Sequence, residues 1–203
     1  MTMRKLTLLL VGALLPWAAE AQELAPDVLV KNVTTEVVEL ITKDREIKSG
    51  NRSKLMQVIE AKVLPHFNFG AMTALAMGQN WSKATSEQKK QLTQEFKTLL
   101  VRTYASALAA YSEQKFDFRP LRAKPTDTDV TVNVRVLQPG SQPVTIDYSM
   151  EKTPSGWKVY DVQVGGVSLV ANYRTEFGKA VREAGVDGLV KNLQEKNAVL
   201  EKK

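Results

Sequence analysis

The apolar period of this chain changes once, and that change limits the fold more than any other feature. From residue 26 to about residue 111 hydrophobic side chains recur at helical spacing; from residue 130 to residue 164 they alternate with polar ones. Val130, Val132, Val134 and Val136 point one way, while Thr131, Asn133 and Arg135 point the other. Val144, Ile146, Tyr148 and Met150 repeat the pattern against Thr145, Asp147, Ser149 and Glu151. Alternation of this kind predicts strands with one buried face. Flanking strands are expected at residues 116–122 and 157–164. The turns at Gln138-Pro139-Gly140-Ser141 and Thr153-Pro154-Ser155-Gly156 are too short for anything but antiparallel neighbours. The expectation is an α+β fold: a twisted antiparallel sheet of about four strands packed against several helices.

The helical half supplies the cover. Asp27 is expected to cap a first helix with Val30, Val33, Val37, Leu40 and Ile41 on one face, fading at Ser49-Gly50. Asn51 or Ser53 opens a second, carrying Leu55, Val58, Ile59, Val63 and Leu64, and Pro65 ends it. A short piece spans residues 69–77 before Gly78. Thr85 and Gln88 form a Thr-x-x-Gln capping box. Behind it Leu92, Phe96, Leu99, Leu100, Thr103, Tyr104, Ala107, Leu108 and Tyr111 mark one stripe, about 26 residues or roughly 39 Å of helix. This long helix is the expected cover of the sheet. Helix resumes near Val167, breaks at Gly185, and restarts with Asp187 as its cap.

The first residues address compartment. Arg4 and Lys5 precede an apolar run over residues 6–17, and Ala19-Glu20-Ala21 is a small-x-small cleavage site. This is the layout of a secretory signal peptide over residues 1–21; a membrane anchor needs about 20 apolar residues, more than this run supplies. Residues 22–203 are then one exported domain, with 22–112 mainly helical, 113–165 the sheet and 166–203 the C-terminal helices. The periplasm is the expected location. Cysteine is absent, so the fold must hold by packing alone. The net charge of +6 points to anionic headgroups or acidic proteins; nucleic acid is not expected outside the cell.

Reactive chemistry is sparse. Without cysteine there is neither a thiol nucleophile nor a thiolate metal site. His66 is the single histidine, so a two-histidine zinc face is impossible. Gly165-Gly166 has neither dinucleotide nor Walker spacing and suits a tight junction between elements. Asp127 and Asp129 look like part of a calcium loop, but the glycine and distal glutamate do not follow, and a turn is the simpler reading. No cofactor or metal is expected.

Four segments in register resemble one family. They are Pro65-His66-Phe67-Asn68-Phe69 running into Met77-Gly78-Gln79-Asn80-Trp81; Ala84-Thr85-Ser86-Glu87-Gln88 with Phe96, Leu99-Leu100, Thr103-Tyr104 and Leu108; Trp157-Lys158-Val159-Tyr160-Asp161-Val162 through Gly166-Val167-Ser168-Leu169, Tyr173-Arg174 and Phe177; and Gly185-Val186-Asp187-Gly188-Leu189. Together they cover almost the whole exported chain. The chain is similar to the MlaC-type periplasmic phospholipid-binding proteins, the toluene-tolerance auxiliary family. The resemblance implies an NTF2-like shape with an apolar cavity between sheet and helices that takes phospholipid acyl chains. It also implies a non-enzymatic, monomeric carrier. Its partners would be an inner-membrane ABC transporter with an MlaD-like subunit and an outer-membrane MlaA-like lipoprotein–porin complex. The family's role is to maintain outer-membrane lipid asymmetry.

Set on that reading, the cavity walls are Met72, Leu75, Phe96, Leu100, Tyr104 and Leu108 from the helices. From the sheet they are Val132, Val134, Ile146, Tyr148 and Val162, with Val164, Val167 and Leu169 near the rim. Each of these suits an ordinary packed core equally well, since sequence does not separate a filled interior from a hollow one. Two other readings stand beside the carrier: an exported enzyme of the same fold acting on a small apolar substrate, and a structural interaction subunit.

Overall fold

Five strands in the order β1-β2-β3-β4-β5 form an antiparallel meander, so each strand lies beside its neighbour in sequence. The structure is a computed structural model describing residues 24–109 and 114–202; the signal-peptide residues 1–21 and Tyr111 fall outside the described residues. The strands are β1 (Lys115–Phe118), β2 (Asp129–Leu137), β3 (Val144–Thr153), β4 (Gly156–Val164) and β5 (Val167–Ser168). Two departures from the expected four are local. The first strand is shorter, ending at Phe118, although Arg119 still donates its N–H to the Asn133 carbonyl at 3.1 Å. Residues 167 and 168, expected as helix, form β5, which turns back on β4 through Gly165 (φ 59°) and Gly166 (φ 81°). Two successive positive φ values match the twist of a tight hairpin and are strained for any side chain.

The β3–β4 ladder contains a bulge that the expected alternation does not foresee. Ser149 pairs with Asp161, but Met150 pairs with Val159, so Tyr160 is the extra residue. Without it Val159 and Val162, an odd spacing apart, would face opposite sides; with it both are buried in the same cluster. Asp161 Oδ1 anchors the junction, accepting from the N–H of Val162 at 2.8 Å and of Val170 at 3.3 Å.

Around the sheet lie α1 (Pro26–Lys43), α2 (Arg45–Lys48), α3 (Arg52–Val58), α4 (Phe69–Met77), α5 (Ser86–Ala109) and α6 (Leu169–Glu201). Asp27 is not the cap of α1: Ala25 occupies that position, Pro26 is the first helical residue, and Asp27 sits in the first turn, where its charge suits the helix dipole. Asp44 breaks the first helical run and caps α2 by accepting from the N–H groups of Glu46 and Ile47. Asn51 caps α3, accepting from Lys54 N–H at 3.0 Å. A π-turn over Ile59–Val63 and a tight turn through Pro65 then end that run. The capping box closes as its sequence requires: Thr85 N–H donates to Gln88 Oε1 (2.9 Å) and Gln88 N–H to Thr85 Oγ1 (3.2 Å). Asp187, expected as a cap, accepts instead from Gln88 Nε2 at 2.6 Å. Ser168 caps α6, and Gly185 (φ 69°, ψ −174°) interrupts it where the break was expected.

The layering corrects one expectation. The stripe of α5 is spent on α4 and α6, not on the sheet: Leu92, Phe96, Leu99 and Leu100 pack with Met72, Met77, Val170, Phe177, Leu189 and Leu193. Phe96 meets the rings of Tyr173 and Phe177 edge-on, with centroids 5.0 and 5.1 Å away. Buried Asn197 of α6 donates to the Glu95 carbonyl (3.0 Å) and carboxylate (2.7 Å), and Arg102 Nη1 donates to the Asn197 carbonyl at 2.5 Å. Together these fix the register of α6 on α5. A second helical cluster joins α1, α2, α3 and α5 through Val37, Ile41, Ile47, Leu55, Ile59 and Ala105. The sheet's cover comes from elsewhere: Leu29 and Val30 at the start of α1, Phe67 after the Pro65 turn, Leu121 and Leu169. The physical reason is complementarity. A long stripe with aromatic members finds an equally long partner in α6, whereas the short sheet face needs only one helix end and three loop-borne side chains.

Candidate apolar site on the inner face of the sheet

The inner face is built row by row from the ladder register. Val132 lies opposite Tyr148, and Tyr148 opposite Val162; Val134 lies opposite Ile146, and Ile146 opposite Val164. Val130 lies opposite Met150, which faces Val159 beyond the bulge. Phe116 and Phe118 of β1 stack on each other at 6.1 Å and complete the cluster at one edge. Val132, Val134 and Met150 are sealed from solvent. Ile146, Tyr148 and Leu169 pack on the same cluster but keep part of their surface open.

At one end the face runs out from under its cover. Val144, Val164 and Val167 are 44%, 39% and 52% exposed. Register holds two of them together: Val164 pairs with Val167, and across the ladder with Ile146. Branched aliphatic side chains that continue a buried face into solvent form an apolar lip. Leu24 and Val28, just before and inside the first turn of α1, are exposed as well.

The expected wall residues therefore fall into two groups. The structure brings Val132, Val134, Ile146, Tyr148, Val162 and Leu169 together on the inner face, with Val164 and Val167 at its open end. Met72, Phe96, Leu100 and Tyr104 belong to the separate core between α4, α5 and α6. Tyr104 faces α6, beside the Tyr173 hydroxyl, which burial foremost and Tyr104 next push up to about 12. Leu75 is on the surface of α4, at the edge of a different hollow. The Leu108 side chain lies outside the described residues. Sequence reasoning missed Phe67, Leu121 and Leu29 as cover. Phe67 carried a usable signal, being an aromatic residue just past a proline turn; its bridge to Val159 and the Asn68 N–H bond to the Val159 carbonyl (2.8 Å) hold it on the sheet.

Chemically the inner face offers little but surface. Its polar tips are the Tyr148 hydroxyl and the indole of Trp157 at the far end. Burial alone pushes the Tyr148 phenol up to about 12, so it stays protonated and a donor at any physiological pH. The outer face of the sheet carries Asn133, Asp147, Glu151 and Asp161, held in local hydrogen bonds such as Asn133 Nδ2 to Asp147 Oδ1 (2.7 Å) and Asn68 Nδ2 to Glu151 Oε1 (2.6 Å). Two hollows lie away from the inner face. One, of about 390 Å³, is lined by Ala71, Leu75, Asp129, Glu151, Tyr160 and Arg174; the other, of about 660 Å³, lies between α3, the Pro65 turn and α5. His66 sits in that turn, its pKa lowered by burial and then by Lys158, against an opposing pull from Glu36. Among the described residues no group of three or more His, Asp or Glu side chains assembles to hold a metal, and no helix is long and apolar enough to cross a membrane.

Comparison with known proteins places this geometry. The model of the MlaC protein family matches residues 31–195. The intermembrane phospholipid transport system binding protein MlaC of Haemophilus influenzae is 24% identical over 193 residues, 94% of this chain and 90% of that protein. The toluene tolerance protein ttg2D of Pseudomonas putida is 25% identical over 181 residues, 89% of this chain and 83% of that one. A phospholipid-binding protein from Ralstonia solanacearum, solved in complex with a phospholipid, superposes with a TM-score of 0.80. It is 41% identical and covers 86% of this chain and 98% of its own.

Proposed function

The chain belongs to the MlaC family, and on that premise we propose that it is a phospholipid-binding transport protein holding acyl chains against the inner face of its sheet. The observation that carries the reading is that face itself: an apolar surface, partly open at Tyr148 and Ile146, that continues into an exposed valine lip.

The physics of the cargo explains the design. Two acyl chains hold about 30 methylene-type groups, and at about 0.8 kcal/mol each their exposure to water costs on the order of 24 kcal/mol. Bare lipid therefore does not cross an aqueous gap, and a carrier has to replace the bilayer with an apolar sheath. Val132, Val134, Ile146, Tyr148, Val162 and Leu169 supply one wall of it. Val164 and Val167 form the lip over which chains slide. The phosphate stays at the mouth, because burying an unpaired charge is far more expensive than leaving it in water. Recognition is then by chains and not by headgroup.

In this reading residues 1–21 direct export and are removed, and residues 22–203 act as one domain in the periplasm. The carrier receives lipid from, or delivers it to, an MlaA-like lipoprotein–porin complex in the outer membrane and an MlaD-bearing ABC transporter in the inner membrane. It turns over no substrate itself. The face supports this: its two polar tips, a phenol and an indole, are not an acid/base pair at neutral pH.

Gentle purification followed by solvent extraction and mass spectrometry tests the proposal. Diacyl phospholipid in stoichiometric amount is expected, with mixed headgroups. A small metabolite, or protein free of fatty cargo, refutes it; strong selection for one headgroup in a lipid-exchange assay refutes recognition by chains.

A further inference from the structure

Tyr148 stands apart on the inner face. Its neighbours across the ladder are Val132 and Val162, and the inward residues before and after it on β3 are Ile146 and Met150. Every group around the ring is aliphatic, yet the side chain ends in a hydroxyl. Among the described residues that hydroxyl makes no hydrogen bond. Tyrosine hydroxyls placed in apolar surroundings ordinarily find a partner, since leaving one unmade costs the full desolvation of the group. The ring nevertheless keeps accessible surface, unlike the sealed Val132 and Val134 beside it. Phenylalanine would fill the same place without the polar atom.

Depth narrows what the hydroxyl meets. The lip is at the level of Ile146 and its partner Val164. Tyr148 is the next inward-facing residue along β3, two residues or about 7 Å further in. With the phosphate held at the mouth, the groups a few bonds below it are the glycerol esters, whose carbonyl oxygens accept hydrogen bonds and donate none. A protonated phenol is the matching donor.

We propose that the Tyr148 hydroxyl donates a hydrogen bond to an ester carbonyl of the bound glycerolipid, reading the linkage between glycerol and chain and setting how deep the lipid sits. This rests on the carrier reading of the inner face. It makes ester lipids better cargo than ether lipids with the same chains and headgroup, because an ether oxygen is a poor acceptor and would leave the phenol unpaired.

The experiment loads the lipid-stripped full exported chain from vesicles of dioleoyl phosphatidylcholine mixed equally with its diether analogue, then measures the bound ratio by mass spectrometry. Wild-type protein is expected to favour the diester about fivefold, the equivalent of about 1 kcal/mol for one hydrogen bond. Tyr148→Phe is expected to bind both at a ratio near one while keeping its total lipid stoichiometry. Equal uptake of both lipids by the wild-type protein overturns the proposal, as does an undiminished preference in Tyr148→Phe. The wild-type ratio decides the matter even if the variant folds poorly. Wild-type protein that takes up neither lipid overturns the carrier reading itself, a result distinct from uptake without preference.

Discussion

Truncating Phe96 to alanine separates helical core from lipid wall more sharply than any other single change. The side chain is completely buried, and its neighbours are the rings of Tyr173 and Phe177 at 5.0 and 5.1 Å, both edge-on. A phenylalanine-to-alanine change in a packed core costs about 3–5 kcal/mol, the sum of lost transfer energy and an unfilled cavity. Edge-to-face pairs add about 0.5–1.5 kcal/mol beyond area. With both rings lost at once, the upper half of the core range is expected, about 4–5 kcal/mol. That is a large part of the roughly 5–15 kcal/mol that holds a domain folded, so Phe96→Ala should be marginal. Phe96→Leu retains most of the volume and should cost about 1–2 kcal/mol. Urea unfolding of lipid-stripped protein, followed by the emission of Trp81 and Trp157, measures both; the midpoint should move while the slope stays constant. Phospholipid extracted per folded molecule of Phe96→Leu should equal that of the wild type. A loss below about 1 kcal/mol for alanine would contradict the packing argument. So would a leucine variant that unfolds normally but has lost its lipid, which would put Phe96 against the chains.

Three further expectations rest on other parts of the fold. Val167→Glu, at a 52% exposed position, should leave the unfolding midpoint within about 0.5 kcal/mol but reduce loading about tenfold or more, since a chain on the lip would strip water from the carboxylate; undiminished lipid in the solvent extract rejects the lip. Thr85→Ala removes the oxygen that accepts from Gln88 N–H and should cost about 1 kcal/mol in urea unfolding, with Thr85→Ser restoring it; an unchanged alanine midpoint discards the cap as a stabiliser. His66 has a folded pKa below its ordinary 6.5, so the unfolded chain takes up the proton first on acidification. Its contribution is full above pH 6.5 and is lost as pH falls through the folded value. A pH series of unfolding midpoints should fall less steeply for His66→Gln, and parallel curves would refute the assignment.

What the sequence discloses and what it withholds divide along the range of the interaction. The capping box, the Pro65 stop, the break at Gly185 and the alternation of β2 and β3 are decided within a few residues, and each is where its residues imply. Partner choice between layers is not local. The stripe of α5 reads the same whether it faces a sheet or another helix, and only the matching stripe of α6 decides. That one ambiguity moved Met72, Phe96, Leu100 and Tyr104 from the inner face to the helical core. The inward residues of the sheet suffered no such displacement, because a pleat with polar residues on its other side has one way to turn. β5 is too short to have a period at all, and the Tyr160 bulge is visible only as an odd spacing between Val159 and Val162. The phenol of Tyr148 was counted as one more apolar wall residue, and its lack of a partner becomes evident only when the surrounding valines are in place.

The meander also bears on what happens when the carrier is empty. Its two margins are β1 and β5, of four and two residues, so neither offers a neighbouring molecule more than a stub on which to add a strand. An unloaded carrier with a bare greasy face is the form most exposed to self-association. Keeping the margins this short lets the face stay sticky toward lipid without making the protein a seed for fibrils of itself.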